Sequence, residues 1–217
     1  MTAICHRHSF VYFPIPKNAT SSMKRIMFQL ETGRVWDRGD RKRLGVNIHA
    51  LYPSKPNSVW KPYFHAYTSL VIFREPISRF LAVYANRVVH AKVLQMNDSF
   101  LSKITRARLS KHPDIDEFIA KFEAYRSISP EVNIHTLPQS DFVGQFWEKV
   151  NYRLPISDLG KVPEIIKQQT GKEILLPHAQ TGGPKLSSDM LDSKQIKKLK
   201  KMYRSDYQML GKYFSPP

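Results

Sequence analysis

The sequence predicts a three-layer α/β domain, with a small parallel sheet held between helices. Three observations carry that expectation. The runs 9–14 (Ser-Phe-Val-Tyr-Phe-Pro) and Thr68–Phe73 are continuously apolar instead of alternating, the pattern of strands buried on both faces. Each run leads straight into a helical periodicity, over 20–32 and 77–92. The chain between them is long enough for the crossover that parallel neighbours require.

Taken in order, residues 9–14 form the first strand and 20–32 the first helix, with Met23, Ile26, Met27 and Leu30 at core spacing and Gly33 just past its end. Residues 34–44 are charged and punctuated by glycine, which reads as loop. Gly45–Leu51 reads as a second strand and Pro53–Pro62 as a turn-rich connection. Thr68–Phe73 is the next buried strand, ended by Arg74-Glu75-Pro76. The helix over 77–92 turns Phe80, Val83, Tyr84 and Val88 inward. Helices follow at 99–109 and 114–126, a short strand at Val150–Leu154, and a helix from Asp158 to Thr170. A last helix over 188–212 sets Leu191, Ile196, Leu199, Tyr203, Tyr207 and Leu210 along one stripe. There is no internal repeat and no low-complexity tract.

At 217 residues the chain is expected to be one domain, 1–217. Its 41% hydrophobic and 12% aromatic content is enough for a full core and excludes a disordered basic tail. No apolar run approaches the roughly 18–20 residues of a membrane span, and no signal-peptide pattern opens the chain. The lone cysteine, Cys5, rules out an internal disulfide and fits a reducing compartment, so the expected location is cytoplasmic. Lys and Arg number 34 against 18 Asp and Glu, a formal charge of +16 that favours anionic partners. Basic clusters fall at Arg38–Arg43, Lys103–Lys111 and Lys194–Lys201, the last on the solvated face of a helix.

The most telling segment is Phe10–Lys24, where a buried strand runs into a tight junction, Pro16-Lys17-Asn18-Ala19-Thr20-Ser21-Ser22, that opens a helix. Backbone N–H groups at a helix start carry partial positive charge and suit a phosphate-like anion. Lys17 adds a full charge, and Thr20, Ser21 and Ser22 add hydroxyls. An ordinary capped helix after a strand is the plainer reading. The phosphate loop of nucleotide triphosphatases does not fit, because the segment has no glycine and its lysine precedes the hydroxyl cluster by three residues. A second constellation, Arg74-Glu75-Pro76-Ile77-Ser78-Arg79-Phe80-Leu81-Ala82-Val83-Tyr84, puts an arginine at a strand end beside a proline-started helix. It suits a phosphate dianion, or else a surface arginine paired with Glu75.

Together the two segments resemble the sulfotransferases that use 3′-phosphoadenosine 5′-phosphosulfate (PAPS), in particular their carbohydrate (heparan and chondroitin type) branch. Three later segments extend the resemblance in the same order: His135-Thr-Leu-Pro138-Gln139, Leu176-Pro177-His178-Ala179-Gln180-Thr181, and Tyr203-Arg-Ser-Asp206-Tyr207. It implies a P-loop-like sulfotransferase fold and the release of 3′-phosphoadenosine 5′-phosphate. It also implies a cofactor site of Lys17, Asn18, Ala19, Thr20, Ser21 and Ser22 around the 5′-phosphosulfate, with Arg74, Ser78 and Ala82 around the 3′-phosphate. A closing loop would bear Thr181, Gly182 and Lys185, with Gly182-Gly183 as its hinge. In one departure, the family's 3′-phosphate serine falls at Ala82. Ser78, one helical turn earlier, or backbone N–H groups near Pro76 are expected to compensate.

Sulfuryl transfer parallels phosphoryl transfer and rests on positioning and electrostatics. The catalytic expectations are Lys17 at the bridging oxygen and a histidine as general base, His49 first and His65 second, with Glu75 or Asp141 as carboxylate alternatives. The transferred group demands no metal. Cys5-His6-Arg7-His8 does not make a site, because no complementary ligand cluster follows. The expected acceptor is a hydroxyl on a carbohydrate, or else on a small metabolite. The competing classes are a phosphotransferase, which lacks its magnesium carboxylate, and a non-catalytic polyanion binder, which lacks any recognisable nucleic-acid module. No specific nucleic-acid partner and no membrane span are expected, and the oligomeric state is unreadable.

Overall fold

The computed structural model describes residues 2–57, 60–96, 98–177 and 182–214. The chain divides into two compact units, one of residues 1–74 and 139–179, the other of residues 75–138 and 180–217.

The first unit holds the sheet. Its strands β1 (Ala3–Cys5), β2 (Phe10–Phe13), β3 (Thr68–Phe73) and β4 (Tyr152–Pro155) lie in that spatial order. The β1–β2 pair is antiparallel, whereas β2–β3 and β3–β4 are parallel. The fold is thus the expected α/β type, mostly parallel, with an antiparallel edge strand that the three apolar residues of β1 were too few to announce. Every residue of β2 is buried, and so are Ser69–Phe73 of β3. Side chains alternate between two apolar layers. On one face Phe10, Tyr12, Leu70 and Ile72 pack with Met23, Ile26, Met27 and Leu30 of helix α1 (Thr20–Thr32) and with Val162 and Ile166 of the helix Val162–Thr170. On the other, Phe13 stacks on Trp60 and meets Phe64 edge-on and Phe146 at a tilt, and Phe73 meets Trp147 edge-on.

Between β2 and β3 two short helices replace what the sequence suggested. Residues 34–44 were expected as loop, yet α2 (Arg38–Leu44) forms because Asp37 and Asp40 make a reciprocal capping box. Asp40, 1% exposed, also draws in Arg34 and Arg43. The strand expected over Gly45–Leu51 is instead α3 (Ile48–Leu51), nucleated by the Asn47 carboxamide, which accepts from the N–H groups of His49 and Ala50 at 2.8 and 2.9 Å.

The second unit is helical. It opens with α4 (Pro76–Val83), which runs into a π-helical segment, Tyr84–His90. Its core gathers Ile77, Phe80, Leu81, Tyr84 and Val88 with Phe118, Phe122, Tyr125, Leu199, Tyr203 and Tyr207. The helix expected over 114–126 is split at Lys121 into Ile115–Ala120 and Phe122–Ile128, and the last one breaks at Tyr203 into Ser193–Met202 and Arg204–Leu210. Among the described residues no helix is long and apolar enough to cross a membrane, and no cluster of His, Cys, Asp and Glu could hold a metal ion.

Candidate active site

The parallel register pairs Phe13 with Val71, so the residues after β2 and those after β3 leave the sheet at the same carboxyl edge. This is where open α/β sheets bind their ligands. After β2 the backbone is forced into an unusual course. Lys17 (φ 69°) and Ala19 (φ 55°) both occupy the left-handed region, which costs a non-glycine residue on the order of 1–2 kcal/mol. Ala19 is the N-cap of α1 and offers no side-chain cap, so the first turn keeps its donors for something other than a capping oxygen. Backbone N–H groups beside such left-handed residues can face an anion.

The side chains of the junction divide their labour. Asn18 is fully buried, and its Nδ2 donates to Ile72 O at 3.1 Å and to Gln139 Oε1 at 2.7 Å. Gln139, also fully buried, accepts from Arg74 N at 3.1 Å and donates through Nε2 to Arg74 O at 2.8 Å. Asn18 and Gln139 therefore clamp the lysine turn to the end of β3, which fixes the backbone of Lys17 relative to that of Arg74. The Asn18 side chain is thus engaged within the protein, and its N–H bonds to Ile15 O at 3.3 Å. Ser22, 4% exposed, donates to Pro177 O at 2.8 Å, so its hydroxyl is spent on the protein as well. Lys17, Ala19 and Ser21 are half-buried and Thr20 is buried.

Ser21 lies 3.1 Å from His49 Nε2, and the other ring nitrogen, Nδ1, lies 3.3 Å from Lys24 Nζ. His49 is exposed while Lys24 is only 1% exposed, and burial lowers the Lys24 ammonium to about 8. Sequence reasoning missed Lys24. The one signal was its spacing, four residues from Thr20 and from Phe28, both buried on α1. The second histidine, His65, has its Nε2 occupied by the indole N–H of Trp60 at 3.2 Å. Asp141 lies beside Asn57, whose N–H bonds to its carbonyl at 2.6 Å.

In the second unit, Glu75 caps α4. Its carboxylate accepts from Ile77 N at 3.1 Å and from Ser78 N at 2.6 Å. Those N–H groups are therefore committed, and the expectation that backbone donors near Pro76 make up for Ala82 does not hold. Ser78 and Ala82, the partly exposed residues of α4, fall at i and i+4 on one face, which sets the Ser78 hydroxyl beside Ala82. Arg79, fully buried, donates to His135 O at 3.0 Å and to Leu137 O, tying off a helix end instead of facing solvent. Gly182 accepts from Asn86 Nδ2 at 3.2 Å. Gly183 (φ 101°) lies so close to the π-helical segment that a Cβ there would come within 2.2 Å of Ala85 O. Lys185 is exposed, and Thr181, with His178–Gln180, lies outside the described residues.

The fold is an α/β type whose mostly parallel sheet carries an uncapped lysine turn after one strand and an arginine after its neighbour. The comparison with family models is more specific. The Sulfotransferase family model matches residues 1–213, and the chain belongs to that family. No curated protein and no solved structure matches.

Proposed function

We propose that this protein transfers the sulfuryl group of PAPS to a hydroxyl of a carbohydrate, with Lys17 and Arg74 binding the two anionic ends of the nucleotide and His49 acting as general base. The observation that carries this reading is the Asn18–Gln139–Arg74 clamp, which fixes the lysine turn against the neighbouring strand end while His49 stands beside Ser21 of the same turn. The residues present fit the donor. The strained turn at Lys17 and Ala19 persists although no glycine relieves it, as expected of a cradle whose shape is set by its ligand. When bound, PAPS supplies an activated sulfuryl group on a phosphate leaving group.

The chain's own part is electrostatic and acid–base. Lys17 offsets the charge that develops on the leaving phosphate, and the N–H groups of the first turn of α1 with Thr20 and Ser21 orient that phosphate. Arg74 pairs with the 3′-phosphate through charge-assisted bonds, aided by the Ser78 hydroxyl next to Ala82. His49 takes the acceptor hydroxyl proton at Nε2. His65 is the second candidate; it accepts from the Trp60 indole, whereas His49 stands beside Ser21 of the lysine turn. The formal charge of +16 favours an acceptor that is itself anionic, such as a uronate-bearing or already sulfated glycan.

The test is incubation with sulfur-labelled PAPS and a panel of glycans and small alcohols. Label should pass to a glycan, Lys17→Ala should lower turnover about 10²–10³-fold, and His49→Ala should lower it without weakening nucleotide binding. Label transfer that survives in His49→Ala would place the base elsewhere. Salt-sensitive polyanion binding with no nucleotide binding would refute the enzyme reading.

A further inference from the structure

We propose that Lys24 is the positioning residue of this site: its Nζ decides which imidazole nitrogen of His49 carries the proton, and only the amine form of Lys24 leaves Nε2 open to take a proton from the acceptor hydroxyl. The inference rests on the reading of His49 as general base.

Lysines on a surface helix normally carry the ammonium out to water along an apolar stem. Lys24 does the opposite. Its side chain turns inward from α1, is 1% exposed, and ends 3.3 Å from His49 Nδ1 and 3.1 Å from Ser54 Oγ. No carboxylate is among these partners. A buried cation without a counter-charge is costly, and burial is the sole cause of its depressed pKa. The titratable group facing Nζ is His49, from α3, and Ser54 follows in the next loop. The strands and loop packed on α1 add Cys5 from β1, whose thiol pairs with Glu31 toward the far end of the helix, Tyr12 from β2, whose hydroxyl donates to Asn18 O at 3.4 Å, and Tyr52 after α3. Arg25 is next in sequence and points a quarter-turn or more away round the helix.

The hydrogen-bond inventory then fixes the chemistry. An ammonium has three donors and no acceptor. Against Lys24 in its charged form, Nδ1 must accept, so the ring proton sits on Nε2 and is donated to Ser21 Oγ, 3.1 Å away. In that state His49 is a donor on the side where a base is needed. As the amine, Nζ has a lone pair. It accepts Nδ1–H and still donates to Ser54 Oγ, leaving the Nε2 lone pair facing Ser21 and the incoming hydroxyl. On transfer the hydroxyl proton moves to Nε2, the ring becomes imidazolium, and Nδ1–H remains bonded to the amine. The same step beside an ammonium would place two cations about a hydrogen bond apart. With its ordinary pKa a lysine would be amine in roughly one molecule in three thousand at pH 7, whereas at about 8 roughly a tenth is amine at pH 7 and half at pH 8.

The experiment uses the full chain labelled with ¹⁵N-histidine, without nucleotide, with the His49 ring nitrogens assigned through His49→Gln. Between pH 6.5 and 9.5 the wild type should pass from the Nε2–H to the Nδ1–H tautomer with a midpoint near 8. Lys24→Met should show no such passage, and Lys24→Arg, which cannot lose its proton, should stay Nε2–H throughout. In turnover, kcat of the wild type should rise toward pH 8–9. Lys24→Arg should fall at least tenfold at pH 8 with no rise and a nucleotide KM within about twofold. A wild-type tautomer ratio that is flat with pH, or the same swing in Lys24→Arg, overturns the proposal, and both remain readable if Lys24→Met fails to fold. A swing that follows Lys24 while His49→Gln keeps full turnover would instead refute His49 as the base and leave the lysine–histidine linkage standing.

Discussion

Gln139 offers the sharpest test of how the site is built. Its residue is fully buried, and its carboxamide bonds to Asn18 Nδ2 at 2.7 Å, Arg74 N at 3.1 Å and Arg74 O at 2.8 Å. Gln139→Ala strands an amide N–H of Asn18 and both backbone groups of Arg74. One unsatisfied buried group costs about 1–3 kcal/mol, and the groups here overlap in cost because water can enter the space left behind. A net loss of about 2–4 kcal/mol follows, which for a chain of this length lowers Tm by roughly 5–15 °C. The functional consequence is distinct. The clamp fixes Lys17 relative to Arg74, so its loss should weaken 3′-phosphoadenosine 5′-phosphate binding by about tenfold or more, although Gln139 itself touches neither phosphate in this account. Calorimetric unfolding and titration calorimetry with the nucleotide give both numbers. In a double-mutant cycle Asn18→Ala and Gln139→Ala should be non-additive by about 0.5–3 kcal/mol. A Tm change under 1 °C, or an additive cycle, would refute the clamp.

Further outcomes follow from single contacts. Ala82→Ser restores a hydroxyl next to Ser78 and should tighten binding of the 3′-phosphorylated nucleotide about tenfold, the worth of one hydrogen bond to a charged group, read by the same titration. Gly183→Ala forces a Cβ to within 2.2 Å of Ala85 O at a φ of 101°, and should lower Tm by several degrees. Because the folded pKa of Lys24 is about 8, below its ordinary 10.5, the unfolded chain binds more protons between those values. Stability should therefore rise as pH climbs from about 8 toward 10.5. Lys24→Met should abolish that rise and gain about 1–3 kcal/mol at pH 7 in chemical denaturation, because it removes an uncompensated buried charge.

What could be read from the sequence was what the local pattern dictates. The helix over Thr20–Thr32 and the strand Thr68–Phe73 declare themselves through continuous burial and 3.6-residue spacing. The lysine turn and the arginine strand end were legible as a pair because each follows a buried apolar run. The short helices were not, because a single side chain decides them. Asn47 turns the apolar segment Ile48–Leu51 into a helical turn, and the Asp37–Asp40 box organises a charged stretch that otherwise reads as loop. The clamp joins residues 121 apart in sequence, and the inward turn of Lys24 is set by packing that no periodicity encodes. The cap that the Glu75 carboxylate places on Ile77 N and Ser78 N was not legible for a similar reason, since one side chain decides it.

The central claim is that Lys17 and Arg74 hold opposite ends of one nucleotide, and differential affinity tests it most directly. The measurement is the ratio of Kd for adenosine 5′-phosphate to that for 3′-phosphoadenosine 5′-phosphate, in the wild type, Lys17→Ala and Arg74→Ala. The account predicts a ratio of about ten or more, kept in Lys17→Ala and reduced to near one in Arg74→Ala. An Arg74→Ala variant that still prefers the 3′-phosphorylated nucleotide as strongly as the wild type would contradict it.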